Sequence, residues 1–299
     1  MNKRHLTSAL ALGAVSALAL AGCASGNQAE GGSGGDDSKG TITLGFLPSW
    51  TDGLSTAYLL EDQLGKLGYT VEMQTLTEAG PLYAGLAQGD VDIYPSAWPE
   101  LTHADYMKKY GDSIEDLGAY YDNAKLTIAV PSYVDIDSID QLKDNAARFD
   151  GKIYGIEPGA GLTKQTQEVA MPGYGLDGLE LVTSSTAAML TELDNAIAAQ
   201  KDIAVTLWRP FWANDAYDVK DLEDPQGLMG KPEALHFLAT SGFKEKYPDA
   251  AELIAGIQLD DEQYGSLEDL VVNEYGEGKE PEAVQAWLEQ NPGAFSTQR

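Results

Sequence analysis

Ala87-Gln88-Gly89-Asp90-Val91-Asp92-Ile93, followed by Trp98-Pro99, is matched later in the chain by Ala199-Gln200-Lys201-Asp202-Ile203-Ala204-Val205, followed by Trp208-Arg209-Pro210. Each stretch contains the end of a helix, a short apolar run typical of a strand, and then an indole. Trp98 and Trp208 are 110 positions apart, and stepping back 48 positions from each reaches Trp50 and Ala160, which follow further strand-like runs. The chain is therefore predicted to contain two copies of one α/β unit.

The order of elements in both copies is β-α-β-α-β. The first copy is predicted as strand 41–47, helix 54–67, strand 69–76, helix 81–88 and strand 91–94, and the second as strand 152–156, helix 164–170, strand 179–183, helix 187–199 and strand 203–207. This order predicts doubly wound, mostly parallel sheets with flanking helices, in which ligands bind beyond the carboxyl ends of the strands. Two such units favour two lobes facing each other across a cleft.

The segments outside the repeat define the lobes. An apolar strand at 126–131 is predicted to cross from one lobe to the other, with a return near 235–240 and helices at 251–257, 266–274 and 281–289 packing on the first lobe. We therefore assign 41–128 and 236–299 to lobe I and 129–235 to lobe II.

The N-terminus has the features of an export signal. Basic residues precede a short apolar run, and small residues then lead to Cys23, the only cysteine of the chain. Residues 1–22 are predicted as a lipoprotein signal peptide because this pattern resembles a bacterial lipobox, in which the Cys23 thiol carries lipid. The Gly- and Ser-rich segment 23–40 is predicted to be a flexible linker. An ordinary secretory signal with an incidental cysteine is the alternative.

Composition limits the possible partners. The formal charge of the 299-residue chain is −28, which excludes nucleic acid on electrostatic grounds. We expect a monomer anchored by its lipid to the outer face of the cell membrane, with no metal and no cofactor.

Three indoles are the candidate cation site. Trp50, Trp98 and Trp208 each follow a strand at the predicted binding edge, and an indole face attracts a cation by about 0.5–2 kcal/mol. Asp52, beside Trp50, keeps open the possibility of a primary amine as ligand. Trp212 and Trp287 fall on helical segments outside the repeat and are predicted to pack.

The other end of the pocket is suited to an anion. Gly155-Ile156-Glu157-Pro158-Gly159-Ala160-Gly161-Leu162-Thr163 runs from a strand through a glycine-rich turn into a helix, whose first amides can bind an anion. His103, five positions after Trp98, could donate to the same group. These features together indicate a small zwitterion.

At these residues the chain resembles the glycine betaine/proline betaine substrate-binding proteins of ABC importers. The resemblance covers 41–299 and depends most on Gln88-Gly89-Asp90-Val91-Asp92, Trp98-Pro99 with His103, Pro158-Gly159-Ala160-Gly161-Leu162 and Leu207-Trp208-Arg209-Pro210-Phe211-Trp212. It implies a type II periplasmic-binding-protein clamp that delivers its ligand to a permease driven by an ATPase. Trp50, Trp98 and Trp208 would then surround a trimethylammonium group, while His103 and the amides of Gly161 and Leu162 hold a carboxylate.

Two features leave alternatives open. Some members of this family carry an indole inside the Pro-Gly turn where this chain has Ala160, so Trp50 must supply that side of the cage. Relatives that bind choline or carnitine use more tyrosine, and a sulfonium compound also remains possible. An enzyme is disfavoured because His103 is the only histidine expected near the cleft, and a purely structural lipoprotein is disfavoured by the duplicated cleft.

Overall fold

The computed structural model describes residues 38–295, and within them the chain forms nine strands and eleven α-helices. The strands are β1 Thr41–Phe46, β2 Thr70–Thr75, β3 Ile93–Ala97, β4 Ile114–Pro131, β5 Lys152–Tyr154, β6 Glu180–Val182, β7 Val205–Arg209, β8 Val219–Asp221 and β9 Glu233–Thr240. The helices are α1 Thr51–Lys66, α2 Ala79–Gln88, α3 Ala104–Tyr110, α4 Gly161–Lys164, α5 Met171–Tyr174, α6 Thr186–Ala198, α7 Ala213–Ala216, α8 Phe243–Lys246, α9 Pro248–Ala255, α10 Asp261–Asp269 and α11 Glu280–Gln290. The predicted signal peptide, Cys23 and nearly all of the linker lie outside the described residues.

The sheet has two halves that share one strand. Strand order is β2-β1-β3-β9-β4-β7-β5-β6, with β8 paired to β4. The first half contains β1, β2, β3, β9 and the part of β4 up to Ala124, whereas β5 to β8 pair around the part of β4 from Lys125 onward. Each half includes a parallel β-α-β-α-β unit, so the repeat predicted from the sequence is present.

Gly89 ends helix α2 and so fixes where the chain enters strand β3, which leads to Trp98. Helix α2 ends there in a left-handed conformation with φ of 79°, which glycine adopts without steric cost. The chain then turns directly into the fully buried strand β3. Trp98 follows that strand, so its position depends on the helix ending where it does.

Strand β4 differs from the prediction. The sequence indicated only 126–131, but the strand begins at Ile114 and runs for 18 residues. Its first part pairs with β9 through several register shifts, and such bulges obscure the alternation that identifies a strand. One strand therefore links the two halves. The short helix α3 and strand β8 were also not predicted.

The C-terminal helices pack on the first half, as predicted. Helix α11 lies against α1, and α9 lies against β4. Trp287 of α11 is fully buried, and its indole nitrogen donates to the Gln263 carbonyl at 2.9 Å. No helix within 38–295 has the length and apolar character needed to cross a membrane.

Candidate functional site

A small cavity lies where the two halves meet. All six residues predicted to contact a ligand line it: Trp50, Trp98, Trp208, His103, Gly161 and Leu162. Asp52, Thr102, Leu126, Ile156 and Ala160 complete the lining.

Trp50 is held by a residue of the second half. It lies in the loop after β1, immediately before α1, and its Nε1–H donates to the Glu157 carboxylate at 3.0 Å. Its ring stacks on His103 with 6.2 Å between centroids and 15° between planes. The orientation of this indole is therefore fixed from both sides of the cavity.

Trp98 is oriented by Asp52. Its Nε1–H donates to Asp52 Oδ2 at 3.2 Å, and the Ser96 hydroxyl donates to the same oxygen at 2.6 Å. Asp52 Oδ1 has no hydrogen-bond partner within the described part of the chain. Burial raises the pKa of Asp52, and the bonds from Ser96 and Trp98 lower it in part. A buried carboxyl group therefore lines the cavity beside one of the indoles.

Trp208 enters the cavity from the second half. It lies in β7 and stacks on Phe211 with 3.9 Å between ring centroids. The neighbouring Arg209 donates twice to Asp221, at 2.7 and 3.2 Å. Arg209 is thus engaged by Asp221 and is absent from the lining of the cavity.

His103 is a neutral imidazole at physiological pH. It is 2% exposed, and burial lowers its pKa to about 3. Its Nδ1 accepts a hydrogen bond from the Trp98 amide at 3.2 Å, so the ring hydrogen of the neutral form is assigned to Nε2. A neutral His103 can donate to a carboxylate without carrying charge.

The glycine-rich turn begins a helix at the cavity. Because α4 starts at Gly161, its first amides have no carbonyl within the helix to bond. A side chain at Gly161 would collide with the Thr102 carbonyl group on the other half. Only glycine allows the turn and the loop of Thr102 to approach this closely.

Several cross-half contacts outside the cavity were missed from the sequence. The Tyr106 hydroxyl donates to the Gly159 carbonyl at 2.8 Å, the Gly159 amide donates to Glu78 at 3.2 Å, and Lys164 pairs with Asp105. Gly159 lies in the glycine-rich turn, but its partners belong to no motif of the sequence, because this pairing depends on how the halves meet. These contacts show that the cleft is closed.

Glu233 fixes the loop that carries Trp98 and His103. Its carboxylate accepts from the amides of Leu101 and Thr102 at 3.0 and 3.1 Å and also from the Thr102 hydroxyl.

Among the described residues, no group of three His, Cys, Asp or Glu side chains could hold a metal ion. The cavity combines aromatic faces with hydrogen-bond donors.

Comparisons with known proteins agree with this geometry. A family model described as the substrate-binding domain of ABC-type glycine betaine transport systems matches residues 40–290. The glycine betaine/carnitine transport binding protein GbuC of Listeria monocytogenes is 35% identical over 158 residues, which cover 51% of this chain and 50% of the relative. The match thus spans only about half of that relative's length.

Two solved structures share the fold. The glycine betaine/L-proline-binding protein ProX of Borrelia burgdorferi is 33% identical, with a TM-score of 0.77 over 84% of this chain and 93% of its own. Lactococcal OpuAC, closed on glycine betaine, is 28% identical, with a TM-score of 0.77 over 85% of this chain and 97% of its own. The predicted α/β fold of the type II periplasmic-binding-protein class is confirmed.

Proposed function

The chain belongs to the family of substrate-binding domains of ABC-type glycine betaine transport systems, and we propose that it captures glycine betaine or proline betaine for delivery to a membrane permease and its ATPase. This is a family of transport proteins and not of enzymes. The observation that carries the proposal is that three indoles and His103 line one cavity. Uptake of an osmoprotectant is the corresponding physiological role.

The cation is placed among the indoles. Trp50 and Trp98 come from two loops and Trp208 comes from strand β7, and all three line the cavity. Each indole face contributes about 0.5–2 kcal/mol once the cation is desolvated. A trimethylammonium group suits this environment because it has no N–H that requires an acceptor. Asp52 adds negative potential at the same end.

The carboxylate is placed at the start of α4. The amides of Gly161 and Leu162 would donate to this carboxylate together with His103 Nε2–H. The neutral imidazole can donate this hydrogen bond without first being protonated. Three donors of this kind hold an anion without an arginine.

Closure of two lobes accounts for capture. Lobe I comprises 41–128 and 236–299 and lobe II comprises 129–235. The pairing of β4 supports a boundary within this strand, since β4 pairs with β9 up to Ala124 and with β7 from Lys125 onward. A ligand that contacts both lobes favours the closed state by the difference in its affinity for the two states.

Isothermal titration tests the proposal. Glycine betaine should bind the purified protein, and Trp98→Ala and Trp208→Ala should each weaken binding by tenfold or more. Tyr275→Ala is the matched control, because this aromatic ring is 37% exposed and lies outside the cavity. Absence of betaine binding by the wild-type protein would overturn the proposal.

Carnitine or choline is the alternative ligand. The name of the Listeria relative includes carnitine, and carnitine also joins a trimethylammonium group to a carboxylate. Choline lacks the carboxylate that His103, Gly161 and Leu162 are proposed to hold. Competition among the three ligands therefore measures the contribution of the donor end.

Membrane attachment is proposed through Cys23. The protein then acts as a monomer on the outer face of the cell membrane, tethered by the segment 23–40. Cys23→Ser should release the protein from the membrane fraction and remove a lipid mass from its N-terminal peptide. Unchanged fractionation and mass would contradict lipidation.

A further inference from the structure

Glu268 is a buried acid that the proposed binding site does not use. It lies in α10, is 2% exposed and accepts a hydrogen bond from the hydroxyl of Thr51, the residue after Trp50. It forms no ion pair with any lysine, arginine or histidine of the described chain. A buried carboxylate without a cationic partner is costly.

The second half covers this carboxyl group. Glu268 lines a groove together with Trp212 and Asp215, which follow β7, and the Trp212 backbone amide favours its charged form. Helix α10 belongs to the set of helices packed on the first half. Glu268 thus lies at the contact between the loop of Trp50 and the segment that follows Trp208.

The charged groups that face Glu268 have its own sign. Asp52 on α1 and Asp215 on α7 both raise its pKa. Tyr264, one turn earlier on α10, is buried and neutral because its own pKa is raised well above the ordinary value. The same groove contains Arg209, which is bound to Asp221, together with Tyr121 of β4 and Asp261 and Asp269 of α10.

We propose that Glu268 is a positioning residue that takes up a proton when the cleft closes, so that closure and ligand affinity depend on pH. The inference rests on the proposed function, since it uses ligand binding as the measure of closure. In the closed state a protonated carboxyl joins the two indole-bearing segments without leaving an uncompensated charge between them. In the open state, water reaches the groove and the carboxylate is ionised.

The direction of the pH effect follows from the two states. Burial, with Asp52 and Asp215, raises the pKa of Glu268 to about 8 in the closed protein, and hydration in the open protein lowers it. Between these two pKa values closure takes up a proton, so the affinity falls as pH rises, by up to about tenfold per pH unit. Above about pH 8 the affinity becomes independent of this group.

Titration calorimetry of the purified protein with glycine betaine tests the inference. The measurements cover pH 6 to 9 in pairs of buffers with different ionisation enthalpies, which yields the number of protons taken up. The wild-type protein should take up as much as about one proton at pH 7. Glu268→Gln, which keeps a neutral hydrogen-bonding group of the same shape, should abolish that uptake and flatten the pH dependence.

A neighbouring glutamate provides the control. Glu262 lies on the same helix and is exposed, so Glu262→Gln should retain the wild-type pH dependence. Glu268→Ala should weaken binding at every pH, and retained affinity in Glu268→Gln at pH 7 would show rescue by the neutral isostere.

The outcomes separate this inference from the proposed function. Betaine binding with an unchanging Kd and no proton uptake overturns the role of Glu268 and leaves the receptor function standing. Proton uptake that persists in Glu268→Gln assigns the proton to another group and also overturns it. Failure of the wild-type protein to bind betaine overturns both.

Discussion

Trp50 and Glu157 are joined across the cleft, because the indole Nε1–H of Trp50 donates to the Glu157 carboxylate at 3.0 Å although the residues are 107 positions apart. The same carboxylate accepts from the amide and the hydroxyl of Thr186, both at 2.9 Å. Glu157 itself does not line the cavity. One buried acid thus orients an indole of the site and joins the two halves.

Removal of the Glu157 carboxylate should weaken betaine binding, although this residue does not line the cavity. A hydrogen bond to a charged group is worth about 1.5–3 kcal/mol, so Glu157→Ala should raise the Kd by tenfold or more. Trp50→Phe keeps an aromatic face but loses the donor. A double-mutant cycle measured by titration calorimetry should show coupling on the order of 1–3 kcal/mol, and strictly additive effects would contradict the linkage.

The Trp50–Glu157 pair also shows what the sequence could predict. The sequence predicted that the three indoles lie close together, because the carboxyl ends of parallel strands meet at one edge of a sheet. Glu157 lay within a motif already singled out, but its partner depends on how the two halves dock. The same holds for Asp52 with Trp98 and for the length of β4. Contacts within a repeat unit follow from local patterns, whereas contacts between units require the tertiary arrangement.

Gly161→Ala should prevent complete closure. The added methyl group would overlap the Thr102 carbonyl group, and backbone atoms of both segments would have to move apart. Betaine affinity should fall by at least about tenfold, with little change in the melting temperature of the ligand-free protein. Calorimetry gives the affinity, and small-angle X-ray scattering with saturating ligand should show a larger radius of gyration than for the wild-type complex.

Gly265→Ala is the matched control for Gly161→Ala. Gly265 lies in α10 with no atom of another described segment within 4 Å of the place where a Cβ would stand, so an alanine there adds helix propensity without a clash. Its betaine affinity should equal that of the wild type. Equal losses in the two variants would indicate a general effect of the substitution rather than obstructed closure.

His103 should make the protein sensitive to acid. Its folded pKa of about 3 lies below the unfolded value of about 6.5, so its contribution to the free energy of unfolding is complete above pH 6.5 and is lost as pH falls toward 3. At pH 4 the loss should be about 3 kcal/mol. Urea unfolding of His103→Gln should therefore show a smaller decline in stability between pH 7 and pH 4 than the wild type.

His236 provides a control of opposite sign. Its pKa is raised, chiefly by the hydrogen bond with Asp116, so its contribution is present below the unfolded pKa and is lost as pH rises through the folded pKa. His236→Gln should reduce stability at acidic pH relative to the wild type, with little effect at pH 8. If both variants changed the acid response in the same direction, the assignment of the two imidazoles would be wrong.

Asp52 should discriminate a ligand with a cationic group from one of the same shape that lacks it. Glycine betaine and 3,3-dimethylbutanoate differ only by carbon in place of the cationic nitrogen, so their ratio of affinities isolates the charge. The carboxyl group lines the cavity, and its Oδ1 lacks a partner within the described chain; Asp52→Asn should therefore lower betaine affinity by on the order of tenfold. The affinity for 3,3-dimethylbutanoate should stay constant or improve. Calorimetric losses of equal size for the two ligands would show that Asp52 acts only by orienting Trp98.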